Sequence, residues 1–183
     1  SNRKSWHMEI AIFTFMLIQF TSFPSYSTDY EDWQYLFDKS EGIFENIEGH
    51  HPASHAAKTN VRITVPIIIK IFHLSPLGLI MIKNLTGFVF VFLIIQIFLL
   101  LTNNKKLTIL LTLSSAFVGF GKISTADPRA IFDGLSLTLV LFSFLTKNQF
   151  LSALSIMAAF FNDERSIICA LFFVLLSLEI HSS

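Results

Sequence analysis

Cysteine, proline and glycine are scarce in this chain, and charge is scarcer than in most proteins. One cysteine, five prolines and seven glycines occur among 183 residues, and charged side chains make up 14%. The lone Cys169 excludes an intrachain disulfide and a cysteine-based zinc site. Placed inside an apolar run, it reads as a small packing residue. Soluble chains carry about 25% charged residues, so this one falls outside that class. Its net charge is zero, which leaves no basic field to recruit nucleic acid. There is no glycine-rich phosphate loop, no GxSxG elbow and no HExxH pair. His50, His51 and His55 are not at metal-binding helical spacing, and Pro52 interrupts them, so no metal site is expected there.

What is abundant is apolar side chain. Hydrophobic residues make up 52% of the chain, 21 residues are Phe, and the mean hydropathy is +0.61. These values predict an all-α, polytopic transmembrane bundle of about six spans, forming one membrane domain over residues 1–183. The chain starts with Ser, so it reads as either a fragment or a processed product.

Arg3 and Lys4 precede an apolar run over 8–23, which favours a cytoplasmic N-terminus. A secretory signal peptide is the competing reading of that run, but Pro24 and Tyr26 fit a small-residue cleavage site poorly. Residues 24–83 read as an extracytoplasmic loop. Within it, Trp33, Leu36 and Phe37 recur at helical spacing with Tyr30 on the same side, which predicts an amphipathic helix lying on the membrane surface. Val61 to Lys83 carries Arg62, Lys70 and His73, which are costly in hydrocarbon. It reads as an interfacial helix to about Phe72, a turn at Leu74-Ser75-Pro76 and the lead-in to the next span. Further spans are expected over 85–101, 107–121, 131–146, 150–161 and 167–180. Several fall short of the roughly 20 residues a perpendicular crossing prefers.

With that topology, Lys105, Lys106 and Lys147 fall inside, and all acids except Glu9 and Glu179 fall outside or at the outer ends of spans. Three clusters can carry chemistry there. In the first loop, Asp29 and Asp32 can act as a general base or, with Glu31, hold a divalent cation through oxygen ligands. Acid in the first turn of a helix is the plainer explanation of that stretch. Asp127-Pro128-Arg129 reads as a helix start, with Asp133 four residues after Arg129 at a spacing that allows an ion pair. Asn162-Asp163-Glu164-Arg165 sits between two apolar runs. Its plain reading is a solvated turn, and its sharper one is a polar site in which Arg165 grips a phosphate while Asp163 or Glu164 orients it.

A first span, an extracytoplasmic loop opening with Asp29 or Asp32, surface-lying helices carrying Arg62 and Pro66, then Asp133 and the late Asp163-Glu164-Arg165 turn: this pattern resembles the multi-pass GT-C glycosyltransferases. The late turn is also similar to one in uncharacterised bacterial membrane proteins. The resemblance implies a location in the bacterial inner (plasma) membrane and a sugar taken from a polyprenyl-phosphate carrier at the extracytoplasmic face. Asp29 or Asp32 would deprotonate the acceptor hydroxyl, and Arg62, Arg129 and Arg165 would bind the lipid-linked phosphate beside Asp133, Asp163 and Glu164. The chain departs from the family in lacking Asp-x-Asp, in having fewer spans, and in ending at Ser183. A non-enzymatic membrane component, either a transporter half or a scaffold subunit of an envelope complex, is the alternative. A transporter would place ionisable residues at mid-membrane.

Overall fold

The computed structural model describes residues 5–21, 31–45, 62–125, 131–163, 166–168 and 171. All regular structure among them is helical: α1 Ser5–Thr21, α2 Glu31–Glu41, α3 Thr64–Phe72, α4 Pro76–Thr102, α5 Lys105–Phe117, α6 Gly119–Thr125, α7 Ile131–Leu145 and α8 Gln149–Phe160. The sequence marks most of these boundaries. Ser75 caps α4, accepting from the Gly78 N–H with Pro76 at the first helical position, where its missing N–H costs nothing. Asn103 closes α4 with φ 45°, a left-handed conformation that asparagine tolerates. Asn104 and Asn148 cap α5 and α8 through their side-chain oxygens.

α4 is the axis of the molecule. Its 27 residues rise roughly 40 Å, and α1, α5, α6 and α7 pack on it. α1 runs antiparallel to it: His7 meets Gln96, Phe15 meets Phe88 edge-on, and Gln19 donates to the Thr125 carbonyl at 2.9 Å. α7 runs parallel to α4, since Ile131 and Phe132 pack with Leu79 while Leu141 joins the cluster of Leu93 and Ile97. Close approach at the α4–α6–α7 junction depends on glycine. A Cβ on Gly87 would lie 2.9 Å from the Thr125 Cα, and one on Gly134 would lie 3.1 Å from the Ser124 Cα.

The bundle therefore has two different ends. At the turn end lie the start of α1 and the short α4–α5 and α7–α8 connections. At the loop end lie α2, α3 and Phe161 to Asp163, just beyond α8. α2 does not lie with its apolar side free. Leu36 packs with Val65 and Ile69 of α3 and with Leu79, Ile131 and Phe132, because the bundle end offers it apolar surface. α3 stops at His73, which is left-handed with φ 48°.

The expectation of about six spans is not met in that form. Among the described residues, α4 alone is long and apolar enough to cross a membrane. α7 and α8 have 15 and 12 residues, a rise of roughly 22 and 18 Å against a hydrocarbon core of about 30 Å. The run over 107–121 is divided at Val118, which is extended and separates α5 from α6. Most of 167–180 lies outside the described residues.

Polarity is distributed in an unusual way. Phe20, Phe150, Leu100, Leu85 and Met81 are exposed, whereas Thr14, Thr108, Thr112, Thr138 and Ser143 are buried. Several of these hydroxyls donate to carbonyls of their own helix: Thr112 to Thr108, Thr138 to Gly134 and Ser143 to Val140. Bonds of that kind need no water.

Candidate functional site

The candidate site is at the loop end, where α8 stops against the start of α3 and the first turn of α7. The last carbonyls of a helix have no partner within it and must find one elsewhere. Here the rest of the chain supplies them. Thr64 Oγ1 donates to Ala158 O at 2.8 Å, Ile63 N–H to Phe161 O at 2.9 Å, and Ser136 Oγ to Ala159 O at 3.2 Å. The Asp163 N–H also reaches Ala159 O, at 2.9 Å. Two segments distant in sequence are thereby tied to one helix terminus.

That tie sets Arg62, immediately before α3, against Asp163, just beyond α8. Arg62 Nη2 lies 3.6 Å from Asp163 Oδ1, and both side chains are nearly inaccessible. The guanidinium carbon stands 5.2 Å from the centre of the Phe132 ring, within cation–π range. Tyr35 of α2 stacks with the Phe132 ring, centroid to centroid 6.5 Å. A cation beside the negative end of α8 is also favoured by the helix dipole.

Asn162 completes the cluster from a fully buried position, with 0% exposure. Its Nδ2 donates to the Phe132 carbonyl and to Ser136 Oγ, the latter at 2.7 Å. Ser136 in turn donates to Ala159, so the amide fixes α7 to the end of α8 through a short relay. The Asn162 Oδ1 has no hydrogen-bond donor among the described residues. A buried carbonyl oxygen in that condition is costly unless a donor arrives.

Of the residues singled out in the sequence, the structure brings together Arg62 and Asp163. Asp133 follows Phe132 in the first turn of α7, half-buried. Asp32 lies in the first turn of α2, and its side chain is outside what is described. Asp29, Arg129, Glu164 and Arg165 lie outside the described residues, so the Arg129–Asp133 pairing and the acid-base role of Asp29 have no geometry here. His50, His51 and His55 lie outside them as well. Among the described residues no group of three or more His, Cys, Asp and Glu can hold a metal ion.

Sequence reasoning passed over Lys83 by treating it as the polar end of a lead-in. It is buried on α4 between Leu79 and Gly87, one turn from each, with Leu79 packed on Ile131 and Phe132 and Gly87 against Thr125. The four-residue spacing of Leu79, Lys83 and Gly87 was the available signal. Lys39 of α2 is also buried and donates to the Glu45 carbonyl. No protein-family model, curated protein or solved structure matches this chain.

Proposed function

We propose that this chain is an integral membrane protein whose loop-end cluster binds the phosphate and sugar of a polyprenyl-phosphate-linked donor, in the manner of a GT-C glycosyltransferase. The membrane placement is supported by the inverted polarity. Large apolar side chains cover the outside, and several buried hydroxyls, those of Thr112, Thr138 and Ser143 among them, are satisfied by their own helices, as a hydrocarbon solvent favours. On this reading α1, the α5–α6 pair, α7 and α8 sit in the bilayer beside α4, their shortness offset by tilt and local thinning.

The observation that carries the site assignment is the burial of Arg62 and Asp163 together, next to an Asn162 oxygen lacking a donor among the described residues. Arg62 can present a planar fork to a phosphate, Asp163 holds that fork in place, and the Asn162 oxygen can accept from a sugar hydroxyl. In the reaction, the acceptor hydroxyl attacks the anomeric carbon and the bond from that carbon to the phosphate oxygen breaks. The polyprenyl phosphate departs, and a carboxylate of the first loop, Asp29 or Asp32, takes the hydroxyl proton. A divalent cation held by that acidic stretch would neutralise the leaving phosphate.

The complete closure of Asn162 favours a second reading, in which the cluster is a lock in a non-enzymatic scaffold subunit. Transfer of radiolabelled sugar from polyprenyl-phosphate donors, measured in proteoliposomes, separates the two. Under the enzymatic reading the parent protein transfers sugar, while Arg62→Ala and the double variant Asp29→Asn with Asp32→Asn each abolish transfer with membrane insertion unchanged. Absence of transfer with a panel of such donors, or full activity in both variants, would refute it.

A further inference from the structure

The turn end holds a feature that the loop-end chemistry does not use. A cavity of about 510 Å³ opens there between α1, α4 and α7, within the size range of small-molecule sites. Its walls are Phe92, Leu93, Leu100, Phe142 and Leu145, and its polar members are His7, Gln96 and Thr146. Gln96 Nε2 is 3.0 Å from His7 Nδ1, so the two polar groups on the wall are held together.

Among the described residues, the charged side chains adjoining this cavity are lysines. Lys105 Nζ stands 4.9 Å from the centre of the Trp6 ring, which itself meets the His7 ring edge-on at 4.1 Å. Lys106 follows it, and Lys147 comes directly after Thr146; all three lysines are exposed. Lys105 and Lys106 occupy the first turn of α5, which contains no acid. That is the end of a helix where the dipole disfavours cations, so helix stability does not explain them. The nearest acid in sequence, Glu9, is exposed and two residues from His7, about 200° around α1 from it.

We propose that this groove seats one acyl chain of an anionic glycerophospholipid, with the lipid phosphate held by Lys105, Lys106 and Lys147. The apolar wall matches the chain, the His7–Gln96 pair meets the ester region, and the lysines with the α5 and α8 N-termini match the phosphate. The assignment rests on the membrane placement proposed above and is independent of any sugar transfer.

Trp6 is the natural reporter, because the chain has two tryptophans and Trp33→Phe leaves it alone. The experiment is fluorescence quenching of that variant in vesicles containing equal fractions of phosphatidylglycerol or phosphatidylcholine brominated on the acyl chains. Brominated phosphatidylglycerol is expected to quench Trp6 preferentially. Its relative affinity should fall about fivefold for each lysine removed in Lys105→Ala and Lys147→Ala. Equal quenching by the two lipids, or a preference that survives removal of both lysines, overturns the site. Absence of quenching by either lipid overturns the membrane placement with it. A failed sugar-transfer assay beside preferential quenching removes the enzymatic reading alone.

Discussion

The two ends of the bundle solve the problem of polar groups in opposite ways. At the loop end, Arg62, Asp163, Asn162 and Ser136 are buried, and their partners come from three separate segments. At the turn end, Asn104 and Asn148 bond to backbone two and three residues away, and the lysines remain exposed. Local bonds of the second kind form as soon as the helix forms. Bonds of the first kind exist only once the fold has closed, so the loop end concentrates the energetic consequences of mutation.

The largest expected effect tests that contrast directly. Removing either partner of the buried pair, by Arg62→Ala or Asp163→Ala, should destabilise by about 3–5 kcal/mol, because the other buried charge loses its counter-ion of the described pair. The joint replacement Arg62→Met with Asp163→Leu should recover most of that loss. Equilibrium unfolding in mixed micelles measures both, and single-variant losses below about 1 kcal/mol would make the loop end no different from a surface ion pair.

Next in size is the glycine junction between the ends. Gly87→Ala sets a methyl group against the Thr125 backbone and should cost about 1–3 kcal/mol through overpacking. The same unfolding measurement reads it, and a neutral result would mean that α4 and α6 can separate freely.

At the turn end the effects should be smaller. Asn104→Ala or Asn148→Ala should each cost about 1 kcal/mol through loss of a cap, visible as faster amide exchange confined to the first turn of α5 or α8. Gln96→Leu, which removes the bond to His7, should on the proposed membrane placement cost only about 0.6 kcal/mol, the average for an interhelical hydrogen bond in a membrane. If Gln96→Leu proved as damaging as Asp163→Ala, the proposed difference between the ends would fail.

Much of the local architecture could be read from residue pattern. The break at Leu74-Ser75, the stop at Asn103 and the starts at Asn104 and Asn148 are written in capping residues that act on their immediate neighbours. The long apolar run following Lys83 is the body of α4. The helix count per apolar run was harder to read. Hydropathy does not register the extended Val118 that divides α5 from α6, although the apolar runs over 131–146 and 150–161 do bound the short α7 and α8. The amphipathic stripe of α2 was legible, but its destination was not, because lipid and the end of a helical bundle offer the same apolar chemistry to Leu36.

The sequence by itself determined that the chain is helical, rich in apolar surface and punctuated by polar turns, since propensity, capping and transfer energy operate over a few residues at a time. Which polar groups would meet was decided by tertiary structure alone. Arg62 reaches Asp163 because α3 docks on the carbonyl end of α8, and Asn162 reaches Ser136 because α7 packs on α8. Those encounters depend on distances between segments far apart in the chain, and no local pattern encodes them.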